Sequence, residues 1–132
     1  MRMNSIISIA LRLIAAILML QTLYFKFTAQ PESVFIFSQV GAEPWGRIGT
    51  GVAELISSVL LLLPATVALG ALMATCMMAG AIATHAFVLG IEVQGDGGLL
   101  FAYATVIFLA SILLLIMHRH QLSVLKAKLF PK

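Results

Sequence analysis

The chain has 132 residues, of which 61% are hydrophobic and only 10% are charged, and its mean hydropathy is +1.09. A soluble domain has about a quarter of its residues charged, so this composition excludes an ordinary water-soluble protein and indicates helices surrounded by lipid and by one another. The net charge of +3 gives no reason to expect a nucleic-acid partner. The length allows one compact domain, predicted to occupy residues 1–132.

Four apolar stretches are each long enough to cross a membrane. A helix rises about 1.5 Å per residue, so about 20 residues cover the hydrocarbon core. The second and third stretches are separated only by Pro64, Ala65 and Thr66, which predicts a tight antiparallel hairpin because proline ends the incoming helix. The sequence therefore predicts an all-α fold, an integral membrane four-helix bundle with spans at about 6–27, 47–64, 67–90 and 99–117.

The basic residues predict the orientation of this bundle. Arg2 precedes the first span and a basic tail, 118–132, follows the last, whereas the two longer connections are mainly acidic. By the positive-inside rule, both termini are expected in the cytoplasm. In the tail, Leu122, Leu125 and Leu129 recur at helical spacing beside lysines. This segment is either an amphipathic helix on anionic lipid headgroups or a basic stop signal with a frayed end.

The connection between the first two spans has an unusual sequence. In PESVFIFSQVGAEPWG, four apolar residues, 34–37, stand between turn-forming residues. This pattern predicts a short segment that dips into the membrane interface or lies over the mouth of the bundle. Trp45 beside it suits the headgroup level of a membrane.

Polar side chains inside the spans gather near one depth. Counting helical rise from the outer boundary places Glu54 about 10 Å below it and His85 about 7 or 8 Å below it. Tyr103 lies at a similar depth, and Lys26 is near the outer end of the first span. The sequence predicts one polar cluster drawn from four helices, consisting of Lys26, Glu54, His85 and Tyr103, which Gln21 and Tyr24 are placed to join.

The cost of a charge in lipid predicts which of these residues pair. An ionised side chain facing lipid is unfavourable by a few kcal/mol, so charges within spans usually face the bundle interior and pair. Lys26 and His85 are the only basic residues of the spans near the depth of Glu54. We therefore predict a contact between Glu54 and Lys26, with His85 nearby. Arg12 lies nearer the opposite face, where it is placed to cap polar groups or reach cytoplasmic headgroups.

Small and polar residues also predict where helices approach each other. On the second span, Gly46, Thr50, Glu54 and Ser58 recur every four positions. Such a seam is the type of surface on which membrane helices pack closely.

The residues alone leave two interpretations of the polar cluster open. A Glu–Lys pair with a hydrogen-bonded histidine can simply fix helix register. A histidine and a carboxylate in an outward-facing pocket can also bind a quinone headgroup or relay protons. No metal site is predicted, because His118 and His120 are two residues apart and point to different helix faces. The single cysteine, Cys76, excludes chemistry that needs an intramolecular dithiol.

Several motifs together resemble the DoxX-like family of small four-helix membrane proteins. They are Arg12 in the first span, Lys26 at its end, the block IGTGVAELISSVLLLLP with Glu54, and ATHAF around His85. Their order along the chain, roughly from Arg12 to His118, carries the resemblance. It implies that Lys26, Glu54 and His85 occupy recurrent polar positions of the family, with Arg12 as a secondary one.

The resemblance also implies a range of functions. The family includes small subunits tied to thiosulfate and quinone oxidoreduction, partners in membrane oxidoreductase complexes, and a eukaryotic branch of receptor-assembly chaperones. We expect a multi-pass protein of a bacterial inner membrane, at most a non-catalytic or quinone-binding accessory subunit of an oxidoreductase, because electron transfer here would need a bound quinone or a partner protein. The expected partners are membrane lipids and such an oxidoreductase or a second copy. The alternatives are an assembly chaperone or scaffold, and a proton-coupled small-molecule transporter.

Overall fold

A computed structural model describes residues 2–131, and every regular element within that range is helical. The helix Val67–Thr84 is extended at its start by a 3₁₀ turn, Pro64–Thr66, and at its end by a π-helical turn, His85–Leu89. The α-helices in chain order are α1 (Met3–Phe27), α2 (Pro31–Gln39), α3 (Trp45–Leu62), α4 (Val67–Thr84), α5 (Leu99–Met117) and α6 (Arg119–Leu129).

Four of these segments are long and apolar enough to cross a membrane. They are α1, α3, the continuous segment Pro64–Leu89 and α5, so the predicted four-helix membrane fold is confirmed. Each packs against two neighbours, in the cyclic order α1, α3, α4, α5. Because four spans return the chain to its starting side, both termini lie at one end of the bundle, called here the terminal end. That this end faces the cytoplasm stays a prediction.

Side-chain size separates the interior of the bundle from its surface. Ala15, Ala71, Ala74 and Ala110 are buried between the helices, where small residues let helix backbones approach. Large apolar side chains such as Ile17, which is 58% exposed, point outward. A surface of this kind suits lipid, and it explains why the helices are apolar on every side.

Helices α3 and α4 are in close contact at Gly70. Ser57 Oγ donates a hydrogen bond of 2.8 Å to the carbonyl oxygen of Gly70. A Cβ atom added at Gly70 would lie 2.8 Å from the backbone nitrogen of Leu61 and 2.9 Å from the carbonyl oxygen of Ser57. In the predicted seam, Glu54 and Ser58 are buried, but this contact with Gly70 is made by Ser57, one position away.

Arg12 caps the end of α3 at the terminal end. Its Nε donates to the carbonyl oxygen of Leu61 at 2.6 Å and its Nη2 to that of Leu62 at 2.8 Å. The last carbonyl groups of a helix have no partner within the helix, and a cation beside them is also favoured by the helix dipole. Of the two roles predicted for Arg12, the structure shows capping.

The tail forms a helix that docks beside the turn between α3 and α4. The side chain of Gln121 accepts a 2.9 Å bond from the Ala68 N–H and donates one of 2.8 Å to the Pro64 carbonyl oxygen. Leu122 and Leu125 are half-buried against the same turn. The tail is therefore helical at Arg119–Leu129 rather than frayed, while Lys132 lies outside the described residues.

Candidate functional site

The short helix α2 lies over the end of the bundle opposite the terminal end. It begins at Pro31, a favoured first helical residue because proline lacks the N–H that would stay unbonded there. Ser33, Ile36, Phe37 and the following Val40 line a cavity beneath it. The connection that was predicted to dip into the interface or lie over the bundle mouth takes the second of these positions, as a helix.

The cavity has a volume of about 640 Å³, within the range of small-molecule sites in proteins. All four spanning helices contribute to its wall, together with the π-helical turn. Much of the wall is apolar, including Met78, Leu100 and Ile107. Its polar residues include five of the six predicted for the cluster, namely Lys26, Glu54, His85, Tyr103 and Gln21.

Glu54 and Lys26 form the predicted contact inside this cavity. Lys26 Nζ lies 3.1 Å from Glu54 Oε2. The hydroxyl oxygen of Thr22 lies 3.2 Å from both atoms and accepts a hydrogen bond from the Lys26 ammonium. Glu54 is only 5% exposed. Helices α1 and α3 are therefore joined by a nearly buried ion pair, which holds both residues in fixed positions along the wall.

His85 shares the cavity with Glu54 but has a different hydrogen-bond partner. Its Nδ1 lies 2.9 Å from the carbonyl oxygen of Gly90. Because a carbonyl oxygen only accepts, Nδ1 carries the proton, and Nε2 of the neutral ring is an acceptor. The ring also packs edge-on against Phe101, with centroids 5.6 Å apart. Among residues 2–131, the structure shows no hydrogen bond between His85 and Glu54.

The placement of Tyr24 in the cluster is wrong. Its side chain is 62% exposed, does not line the cavity and packs edge-on against Phe25, with ring centroids 5.4 Å apart. A helix turns about 100° per residue, so a residue two positions from both Thr22 and Lys26 points away from the face they share. Depth alone placed Tyr24 near the cluster, and the angular position of its side chain was left out of that prediction.

Two acidic residues of the cavity mouth were not predicted as site residues, although both line it. Asp96 accepts hydrogen bonds from the N–H groups of Val93, Gly98 and Leu100 at 3.0, 2.8 and 3.2 Å. Glu32 lies in the first turn of α2, and burial, together with the charge of Asp96, raises the pKa of Glu32. The sequence around Asp96, GDGG at 95–98, is typical of a turn, but nothing local in it reveals that Asp96 lines the same cavity as Glu32.

Arg47, which stands at the start of the second predicted span, is a further buried residue that was not predicted as part of the site. Its Nε lies 2.8 and 3.0 Å from the two carboxylate oxygens of Glu43, and its Nη1 donates to the carbonyl oxygen of Lys26. The start of α3 is thereby tied to the end of α1. The spacing of Glu43 and Arg47 by four residues was the available signal.

Asp96→Ala is expected to lower the free energy of unfolding by about 1 kcal/mol at neutral pH, the usual effect of losing a helix-capping side chain. Burial acts to raise the pKa of Asp96, but its three backbone N–H bonds lower it overall. A lowered folded-state pKa stabilises the protein above the unfolded-state pKa, and this stabilisation is lost as the pH falls through the folded-state value. Unfolding of both proteins should be measured from neutral pH down to about pH 2.

The matched control for this measurement is Asp96→Asn, which keeps an acceptor oxygen but has no titratable group. We expect a smaller loss than for alanine. The difference between wild type and each variant should shrink at acid pH. A difference that stays constant with pH would contradict the role of the carboxylate charge.

Four spanning helices around a cavity with polar and apolar walls define a small multi-pass membrane protein with a candidate binding site. The chain belongs to the DoxX-like family, because the model of that family matches residues 10–115. This match confirms the resemblance carried by the motifs around Arg12, Lys26, Glu54 and His85. Comparisons with curated proteins and with solved structures found no match.

Proposed function

We propose that the protein binds the headgroup of a membrane quinone in the cavity beneath α2, as an accessory subunit in quinone-linked redox metabolism of a bacterial inner membrane. The observation that carries this proposal is the cavity wall, which combines apolar side chains with polar groups on all four spanning helices. A mainly apolar cavity with a few convergent polar groups is the usual form of a site for a small amphipathic ligand.

The position of the cavity favours a ligand that arrives through the membrane. Phe25 and Leu99 line it and are also 41% and 49% exposed. The wall is thus continuous with the lipid-facing surface of the bundle. A quinone fits this arrangement because its ring can contact the polar groups while its apolar tail leaves between the helices into lipid.

The accessory role follows from what the side chains can supply. Glu54, His85 and Tyr103 can bind and orient a headgroup or exchange protons with it. The change in oxidation state belongs to the quinone, and a partner oxidoreductase would exchange the electrons. We therefore include a membrane oxidoreductase among the proposed partners, with a second copy of the chain as the alternative.

Blocking the cavity tests this proposal. Ala81 lines the cavity and is half-buried, whereas Ala79 is exposed and does not line it. We expect a decyl-benzoquinone to bind the wild-type protein in lipid nanodiscs at one site, and Ala81→Trp to weaken binding at least about tenfold, or about 1.4 kcal/mol. Equilibrium dialysis with chromatographic quantification of the quinone measures both.

The matched control is Ala79→Trp, which adds the same side chain to the lipid-facing side of α4 and should leave binding unchanged. Equal weakening in both variants would place binding outside the cavity. A wild-type protein without saturable quinone binding would overturn the proposal and favour the scaffold alternative.

A further inference from the structure

Some polar atoms that line the cavity have no hydrogen-bond partner within the protein, and they favour one oxidation state of a bound quinone. We infer that the cavity selects the reduced quinol, which carries two hydroxyl groups, over the oxidised quinone. This inference rests on the proposed function, since it concerns the ligand of the same cavity. It follows from counting which hydrogen-bonding atoms of the lining side chains already have partners.

His85 offers an acceptor to the cavity. The bond from Nδ1–H to the Gly90 carbonyl oxygen, at 2.9 Å, fixes the proton on that nitrogen. In the neutral ring Nε2 is then an acceptor, and within residues 2–131 the bond from Nδ1 is the only hydrogen bond of this ring. His85 lines the cavity while only 5% of its surface is exposed, so the cavity is where that nitrogen can find a partner.

Glu54 offers a second acceptor. Its Oε2 receives the Lys26 ammonium at 3.1 Å and lies 3.2 Å from the Thr22 hydroxyl. In the described part of the chain Oε1 has no partner, and a carboxylate paired with an ammonium only accepts. Asp96 differs, because backbone N–H groups already bind both of its oxygens. The backbone of the turn therefore already supplies the hydrogen-bond donors of the Asp96 carboxylate.

Donors are available as well. Lys26 has three N–H bonds, of which one is directed to Thr22 and one to Glu54, which leaves one for a ligand. The Tyr103 hydroxyl can donate or accept, and Tyr103 lines the cavity. Within the cluster, the wall therefore presents two free acceptors, Glu54 Oε1 and His85 Nε2, beside donors from Lys26 and from the side-chain amide of Gln21, which also lines the cavity.

The quinone and the quinol form different hydrogen bonds with the polar groups of the cavity wall. A quinone has two carbonyl oxygens, which only accept, so it can accept from Lys26, Gln21 or Tyr103 but leaves Glu54 and His85 without donors. Buried acceptors without a donor are unfavourable. Each quinol hydroxyl both donates and accepts, so a quinol can satisfy Glu54 and His85 while its oxygens accept from Lys26 or Tyr103. Tighter binding of the quinol follows.

The test compares the two forms on the wild-type protein under anaerobic conditions. Decyl-benzoquinone and its chemically reduced quinol are titrated separately into protein in nanodiscs. We expect the quinol to bind at least about tenfold more tightly. For a two-electron couple, each tenfold preference for the reduced form raises the midpoint potential of the bound ligand by about 30 mV. Equal affinities, or a preference for the quinone, would overturn the inference and leave the proposed function standing.

Two variants then test whether the free acceptors cause the preference for the quinol. Glu54→Gln replaces a pure acceptor by an amide that also donates, and it should reduce the ratio of affinities to about twofold or less. Tyr24→Phe, outside the cavity, should leave the ratio unchanged. If Glu54→Gln does not fold, His85→Phe removes the other acceptor and should narrow the ratio likewise. Failure of the wild-type protein to bind either form would overturn the proposed function itself.

Discussion

Lys26→Met lowers the free energy of unfolding by about 3 to 5 kcal/mol, the expected effect of removing one partner of a buried ion pair. Glu54 is only 5% exposed, so without the ammonium its charge has no strong compensation inside the bundle. Thr22 alone, at 3.2 Å from Oε2, is a weak substitute. Circular dichroism during titration of dodecyl sulfate into the detergent-solubilised protein measures the loss.

Two controls separate the ion pair from other effects of this substitution. The double variant Lys26→Met with Glu54→Gln removes both charges and should recover most of the stability, because neutral replacement of a buried pair is often nearly neutral. Lys128→Met makes the same change at an exposed position of α6. Its free energy of unfolding should stay within about 0.5 kcal/mol of the wild-type value. A double variant as unstable as Lys26→Met would show that the charge of Glu54 is not the cause.

The ion pair could be predicted from the sequence because two simple rules determine it. Helical rise fixes the depth of a residue once the ends of a span are known, and a charge at that depth needs a partner. Lys26 was the nearest full cation to Glu54 by this reasoning, and the two are in contact. Rise alone does not fix direction around the helix, which is why Tyr24 was misplaced.

The loop between α4 and α5 forms part of the mouth of the cavity. Helical rise does not apply to a loop, so the positions of its residues could not be predicted in the same way. Gly90, Gly95 and Gly97 have φ values of 80°, 76° and 68°, a conformation that glycine adopts without strain. These turns bring the Gly90 carbonyl to His85 and direct Asp96 to the cavity. The glycines predict turns, but the path of the loop also depends on contacts beyond it, such as the bond from the Leu100 N–H of α5 to Asp96. The hydrogen-bond partner of His85 was therefore not predictable.

The contact between α3 and α4 was also only partly predictable from the sequence. The repeat of small residues on α3 correctly predicted a buried face containing Glu54 and Ser58. It did not reveal which residue of the neighbouring helix would meet that face. Gly70 is one of several small residues on α4, and only the register between the helices places it against Ser57. The register of α3 against α4 depends on both helices together, so the sequence pattern of either helix alone does not predict it.

Gly70→Ala is therefore expected to lower the free energy of unfolding by about 3 kcal/mol, the upper part of the range for overpacked sites. The added Cβ would lie within 2.9 Å of α3 backbone atoms, which cannot rotate away as a side chain does. Gly80→Ala is the matched control, because no atom lies within 4 Å of its Cβ position, and it should stabilise α4 by about 0.5 to 1 kcal/mol. The same unfolding titration measures both variants. Equal stabilities would contradict a close α3–α4 contact at Gly70.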